Sequence, residues 1–526
     1  MNNKRHYSTV STRRQFFEQA GSGLAAIALT SLLQEDALAQ VRKADPLDPK
    51  TPHVTPRAKN IIWCFMEGGP SHVDLFDPKP ELVKYAGQPV PPSFHPETLG
   101  VTGFGTNKNG MLPSRRTFKQ YGQSGLWVSD WLPNIAQHVD DLAVIRSCVS
   151  NAVNHVGGVC QMNTGDILAG RPSLGAWVTY GLGSAKRNLP TFVIMQDDKE
   201  ILGGVQNYSA GFLPATYAGT LFRNGDTPIL NLKPTEGTTE EQELSKIGFL
   251  KALNERFGRD KLDDSELDAR TRSYELAYQM QSAAPEAVDL SSESEATKKL
   301  YGMDEKETAA YGANCLMARR LVERGVRFVE VYSGSGSRWD AHSDLQSNHT
   351  QNCKSADKPV AGLLADLKAR GMLKDTVVVW GGEFGRTPFF QGTNDDKAGR
   401  DHNPWGFTMF MAGGGVKGGQ TIGSTDELGL RALDEPHHIH DVHASILYLL
   451  GLDHLKTTFM RNGRAERPTV TGGNLITKLW AESGRYCCYP SWVARVLPAG
   501  NRTRRRISPP VRVKIPSSAC APFATI

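Results

Sequence analysis

Carboxylates and imidazoles recur in four short polar segments of this 526-residue chain, and these are the side chains that hold divalent metal ions or move protons. Glu67, with Ser71, His72, Asp74 and Asp77 behind it, follows the apolar run 61–66. Asp340 and His342 follow the run 326–332. Glu383 and Arg386 follow 376–380, while Asp401 and His402 come just before 407–411. Oxygen and nitrogen donors of this kind suit zinc or a similar divalent ion, with manganese and calcium also open, and such sites are often assembled from distant parts of a chain. Each residue also has a structural reading. A lone His at a strand end commonly serves a hydrogen bond within the fold. Asp74 and the Asp77-Pro78 pair are good turn formers. Arg386 either holds an anionic group in a bidentate fork or makes an internal ion pair. The tract His437-His438-Ile439-His440 with His443 has the composition of a metal site, but it abuts the start of a helix.

The elements that must position these residues alternate. Apolar runs at 61–66, 142–145, 192–195, 326–332, 376–380 and 407–411 predict strands. Helical spacing covers 311–323, closed by Gly325, and 360–370, closed by Gly371; Asp441 is read as the cap of a further helix running to Leu450. Continuous apolar strands separated by helices predict a doubly wound, mostly parallel α/β sheet with helices on both faces. Sites in such sheets collect at the carboxyl ends of strands, which is where the polar segments fall. Residues 235–298 are acidic, poor in strand signals, and read as an inserted helical segment.

The ends of the chain carry other information. Arg13-Arg14, a modest apolar run over 23–33 and Ala37-Leu38-Ala39 together make a twin-arginine signal, residues 1–39, addressed to the twin-arginine export machinery. The expected location is periplasmic or secreted. Residues 40–59 read as a linker, and the body as 60–483. No stretch outside the leader predicts a membrane span. The net charge of +5 is unevenly placed: 484–526 carries seven Arg and one Lys without an acid, which leaves the body mildly acidic and gives no reason to expect nucleic acid. That basic, Pro-rich tail reads as disordered. Eight Cys are scattered without C-x-x-C spacing, so neither a zinc ribbon nor a disulfide framework is indicated.

Four segments carry a family resemblance: Gly68-Gly69-Pro70-Ser71-His72 running on to Pro80, Trp339-Asp340-Ala341-His342, Gly382-Glu383-Phe384-Gly385-Arg386-Thr387-Pro388, and Gly399-Arg400-Asp401-His402-Asn403-Pro404-Trp405. In order and spacing, over roughly residues 60–480, they resemble the bacterial exported family catalogued as domain of unknown function 1501. That family is similar to the alkaline phosphatase and sulfatase superfamily. The resemblance implies that fold, one or two metals beside a nucleophile, and a small phosphorylated or sulfated substrate. Carried over residue by residue, it places Glu67, Asp340, His342, Glu383 and His402 around the metal. Phe384 falls where a histidine ligand belongs, and His155, nine positions before Thr164-Gly165, falls at the nucleophile position. His155 and Arg386 are therefore the expected catalytic residues, His155 as nucleophile, metal ligand or general acid. These departures leave two readings: a hydrolase of phosphate or sulfate esters, or a member without turnover that binds an anionic glycan or a cell-surface partner.

Overall fold

The computed structural model describes residues 45–480 apart from 95–109, 187, 198, 224, 226–227, 230–236, 238, 259–264 and 393–394. The twin-arginine leader and the basic tail lie outside the described residues. The strands that build the main sheet are β1 (Asn60–Met66), β2 (Leu142–Val149), β3 (Phe192–Met195), β4 (Thr220–Phe222), β5 (Phe328–Ser333), β6 (Thr376–Gly381), β7 (Phe407–Gly413), β8 (Gln420–Ile422) and β9 (His437–His438). They form one nine-stranded sheet in the order β8-β2-β7-β6-β1-β5-β3-β4, with β9 also beside β2. Every pairing is parallel except those of β7, which runs antiparallel to both β2 and β6.

The apolar character of β1 comes from burial on both faces. Ile62, Cys64 and Met66 enter one core layer, and Ile61, Trp63 and Phe65 enter the other. The first layer is covered by α5 (Ala309–Glu323) and α6 (Leu345–Ala369), through Leu316, Leu321, Leu363 and Leu364 among others. The second is covered by α1 (His155–Thr164), α2 (Leu174–Leu182) and α7 (Ile439–Leu449). Helices on both faces of a mostly parallel sheet make this a doubly wound α/β architecture. The segment read as a helical insertion carries α3 (Glu240–Gly258) and α4 (Ser265–Val288). No helix of the described residues is long and apolar enough to cross a membrane.

Three local details differ from the sequence reading. Helix α6 begins fifteen residues before the expected 360, passing through Pro359. Helix α7 is capped by His438, with Asp441 in the third position of a reciprocal capping box. Residues 45–59, read as a linker, are tied to the body by backbone hydrogen bonds from His53 and Val54 to Gly451 O and from Arg57 and Ala58 to Leu449 O.

Candidate metal centre

The four polar segments converge at the carboxyl ends of β1, β5 and β6. After β1 the chain turns through Gly68 (φ 116°) and Gly69 (φ 73°). A Cβ on Gly68 would sit 2.5 Å from Asp340 N, and one on Gly69 would sit 2.9 Å from the Phe384 ring. Glycine is required at both positions because the turn is pressed between the loops that carry Asp340 and Glu383. The loop after β5 is anchored by buried Trp339, whose Nε1 donates to Ser333 O at 3.1 Å, and by Asn348 and Asn352 of α6, which donate to Arg338 O. The last two segments pair with one another as a short antiparallel ribbon, His402 opposite Arg386. Behind the ribbon, fully buried Arg400 grips Asp74 through Nε at 2.8 Å and Nη2 at 3.2 Å.

His155 arrives from a different direction, on the first turn of α1. Asn154 caps that helix by accepting from Gly157 N. A Cβ on Gly158 would lie 2.8 Å from Glu383 Cγ, so the glycine lets the helix settle directly onto the Glu383 segment.

His155, Asp340, His342 and His402 form one cluster, with a donor atom of each within 4.8 Å of the others. His155 Nε2 lies 3.1 Å from Asp340 Oδ2, His342 Nε2 lies 3.0 Å from Asp340 Oδ1, and the two Nε2 atoms of His342 and His402 are 3.0 Å apart. The other nitrogen of every ring faces an acceptor. His155 Nδ1 meets Glu383 Oε1 at 2.6 Å, His342 Nδ1 meets Gln391 Oε1 at 2.5 Å, and His402 Nδ1 meets Val153 O at 2.9 Å. Those partners assign the proton of each neutral imidazole to Nδ1, which turns three Nε2 lone pairs toward a single carboxylate. His155 Nε2 and Asp340 Oδ1 are buried atoms without a directed hydrogen bond, although each has a close neighbour. Lone pairs converging on lone pairs repel unless a cation or protons stand between them, so the cluster fits a divalent metal ion.

Electrostatics point the same way. Burial raises the Asp340 pKa, but hydrogen bonds from His155, His342 and His402 and the Arg386 charge outweigh it and hold the carboxyl well below the usual carboxylate range. Burial lowers the His155 pKa, yet Asp340 and Glu383 raise it on balance to about 9. At His402 burial dominates and the pKa falls. The bare cluster thus balances its negative charge with protons, which a bound cation would displace.

The remaining predicted residues stand just outside this group. Glu383 is fully buried behind His155, also accepting from Gly68 N at 3.0 Å. Glu67 accepts from Leu202 N at 2.6 Å and Gly336 N at 2.8 Å, so both of its oxygens are taken by backbone donors. Burial and the neighbouring Glu383 charge push Glu67 up to about 7. Arg386 is wholly buried, donating to Gly69 O at 2.8 Å, to Arg400 O at 3.2 Å and to Gly68 O, and its Nη1 lies 2.7 Å from Asp340 Oδ1. The His437–His443 tract is spent on the fold: His438 caps α7, His440 bonds Gly165 O, and His443 bonds Met162 O. Sequence reading missed Gln391 and the Val153 carbonyl. Neither carried a signal, since any acceptor can orient an imidazole and a backbone carbonyl belongs to every residue type.

A model of the family described as "Protein of unknown function (DUF1501)" matches residues 58–480. None of the curated proteins compared matches the chain. Among solved structures, similarity extends to an alkaline phosphatase from the Antarctic bacterium TAB5 (12% identity, TM-score 0.30), covering 76% of this chain and 99% of that one. It also extends to a lipoteichoic acid synthase of Listeria monocytogenes (10% identity, TM-score 0.31), covering 77% and 76%. A sulfatase from Pseudoalteromonas sp. is similar at 14% identity and TM-score 0.31, covering 75% and 68%.

Proposed function

We propose that this chain, which belongs to the DUF1501 family, is an exported metal-dependent hydrolase of phosphate or sulfate esters. The observation that carries the reading is the convergence of three imidazole Nε2 atoms on Asp340, each ring oriented from behind by its own acceptor. His155, Asp340, His342 and His402 are the residues that would hold the ion. Three nitrogens and one carboxylate suit zinc better than calcium, which prefers oxygen throughout. When bound, such an ion supplies positive charge for an anionic ester and acidifies water.

The chain's own residues do the rest. Glu383 fixes the His155 ring and its tautomer, the arrangement by which an outer carboxylate tunes a metal-bound imidazole. Arg386 locks Asp340 against the Gly68-Gly69 turn, which makes it a positioning residue in this reading rather than a substrate fork. His155 acts as a ligand, because its Nε2 faces Asp340 and its Nδ1 is engaged. Glu67 ties the loops at 202 and 336 to the site. Export is proposed on the leader alone.

The test is elemental analysis of mature protein purified after export, beside a His402→Ala variant, followed by a screen of phosphate and sulfate esters. Near-stoichiometric zinc that falls in the variant, with metal-dependent ester turnover, is expected. Absence of metal from both proteins would remove the hydrolase reading. Metal without turnover would favour the alternative, a binding role for anionic glycans or a surface partner.

A further inference from the structure

The border of the cluster on the α1 side is lined with large aliphatic side chains standing in solvent. Val153 and Val156 flank the cap and first turn of α1, on either side of His155, and are 37% and 48% exposed. Gly165, in the left-handed conformation, ends that helix, and the chain then doubles back along it. Ile167 O consequently lies 3.7 Å from where a Cβ on Gly157 would be, back beside the first turn. Ile167 and Leu168, on this return, are 43% and 69% exposed. The neighbouring turn Gly204–Asn207 packs on α1 and presents Val205, 65% exposed. That turn follows Leu202, whose N–H donates to Glu67, and it opens onto a cleft of about 870 Å³ whose wall sets Ile201, Tyr208 and Leu221 among Asp197, Glu200 and Arg223.

Single exposed apolar residues are ordinary, but several gathered at the border of a polar centre are not. Leaving such side chains in water gives up the free energy of burial, so a ligand that covers them gains it. Arg386 is wholly buried, and the four cluster side chains are buried or half-buried. The organic substituent of any ester must therefore rest on what borders the cluster. On the α1 side that border is aliphatic, which suits an alkyl or aryl group better than the hydroxylated face of a sugar.

The geometry points to amphiphilic esters as the substrate class, an anionic phosphate or sulfate head at the cluster with an apolar substituent lying over Val153, Val156, Ile167, Leu168 and Val205. This rests on the metal-centre reading above and deepens it. The chain does not need to turn a substrate over for the rim to be tested, since inert phosphonates present the same head and tail.

Zinc-loaded full-length mature protein is titrated by calorimetry with methylphosphonate and with hexylphosphonate, the latter below its micelle concentration, with zinc content measured on the same samples. Hexylphosphonate is expected to bind at least about tenfold more tightly, as partial burial of its extra methylenes requires. In a Val156→Ser/Leu168→Ser double variant that advantage should shrink to about threefold or less, with zinc content and methylphosphonate affinity unchanged. Equal affinities, or an advantage untouched by the double variant, in protein that carries zinc would overturn the rim proposal and leave the metal centre standing. Protein that takes up no zinc and binds neither phosphonate would overturn both.

Discussion

His342 and His402 point their Nε2 atoms at one another across 3.0 Å, while each Nδ1 faces an acceptor elsewhere, Gln391 Oε1 and Val153 O. In the bare cluster a proton on one Nε2 must stand between them, and a bound cation would take its place. Zinc should therefore raise the unfolding temperature of chelator-treated protein. A concentration 100-fold above Kd corresponds to about 2.7 kcal/mol of added stability. His342→Ala should lose most of that rise in a thermal melt with and without zinc. A variant that keeps the full rise would show that the ion binds elsewhere.

Glu383 touches His155, and its effect on a metal would pass through that ring. Glu383→Gln keeps a hydrogen-bond acceptor at Oε1 but loses the charge, and should weaken zinc affinity about 10- to 100-fold, the range for outer partners of ligating histidines. Competition with a chromophoric chelator reads this directly. Unaltered affinity would mean that His155 is not a ligand.

Arg386 is enclosed, with its donors spent on three carbonyls and its charge set against Asp340. Arg386→Ala would leave the half-buried Asp340 carboxylate without its fixed counter-charge, a loss of at most about 3 kcal/mol, the lower end of the cost of halving a fully buried pair. Chemical denaturation would register it as a lower midpoint. Arg386→Lys should recover little, since one ammonium cannot reach acceptors arranged around a planar fork. A stable Arg386→Ala protein that has lost only ester affinity would restore the substrate-fork reading.

Glu330 gives the pH prediction. It stands in the middle of β5, opposite Trp63 and Ile194, and burial alone pushes its carboxyl up to about 8. A folded-state pKa above the unfolded one means that the native state retains a proton the unfolded chain releases. Its stability contribution is complete below about 4.5, declines as pH rises toward about 8, and stays lost above that. Glu330→Gln, which cannot ionise, should therefore gain on the wild type steadily from pH 5 to 8 in parallel melts. A constant difference across that range would refute the assignment.

Much of this protein was legible in its sequence, because the relevant physics is local. Six apolar runs marked strands of a sheet buried on both faces, since a strand covered by helices on each side has no solvent-facing position to alternate. Helical spacing marked 311–323 and end signals marked the helix before Gly451, whereas the first half of α6 was not marked, its polar turns and Pro359 masking a helix that tertiary packing sustains. Residue types and their placement at strand ends also singled out Asp340, His342 and His402, whereas His155 came only from the family resemblance, through its offset from Thr164-Gly165. What the sequence could not contain was which carboxylate faces which ring. Glu67, Asp340 and Glu383 are all acids just beyond strand carboxyl ends, chemically interchangeable as donors. The fold alone engages Glu67 with backbone N–H groups, sets Glu383 behind His155, and leaves Asp340 facing three imidazoles. Those outcomes depend on crossings of segments hundreds of residues apart and on the close approach allowed by Gly68, Gly69 and Gly158. Such distances exist only once the chain has folded.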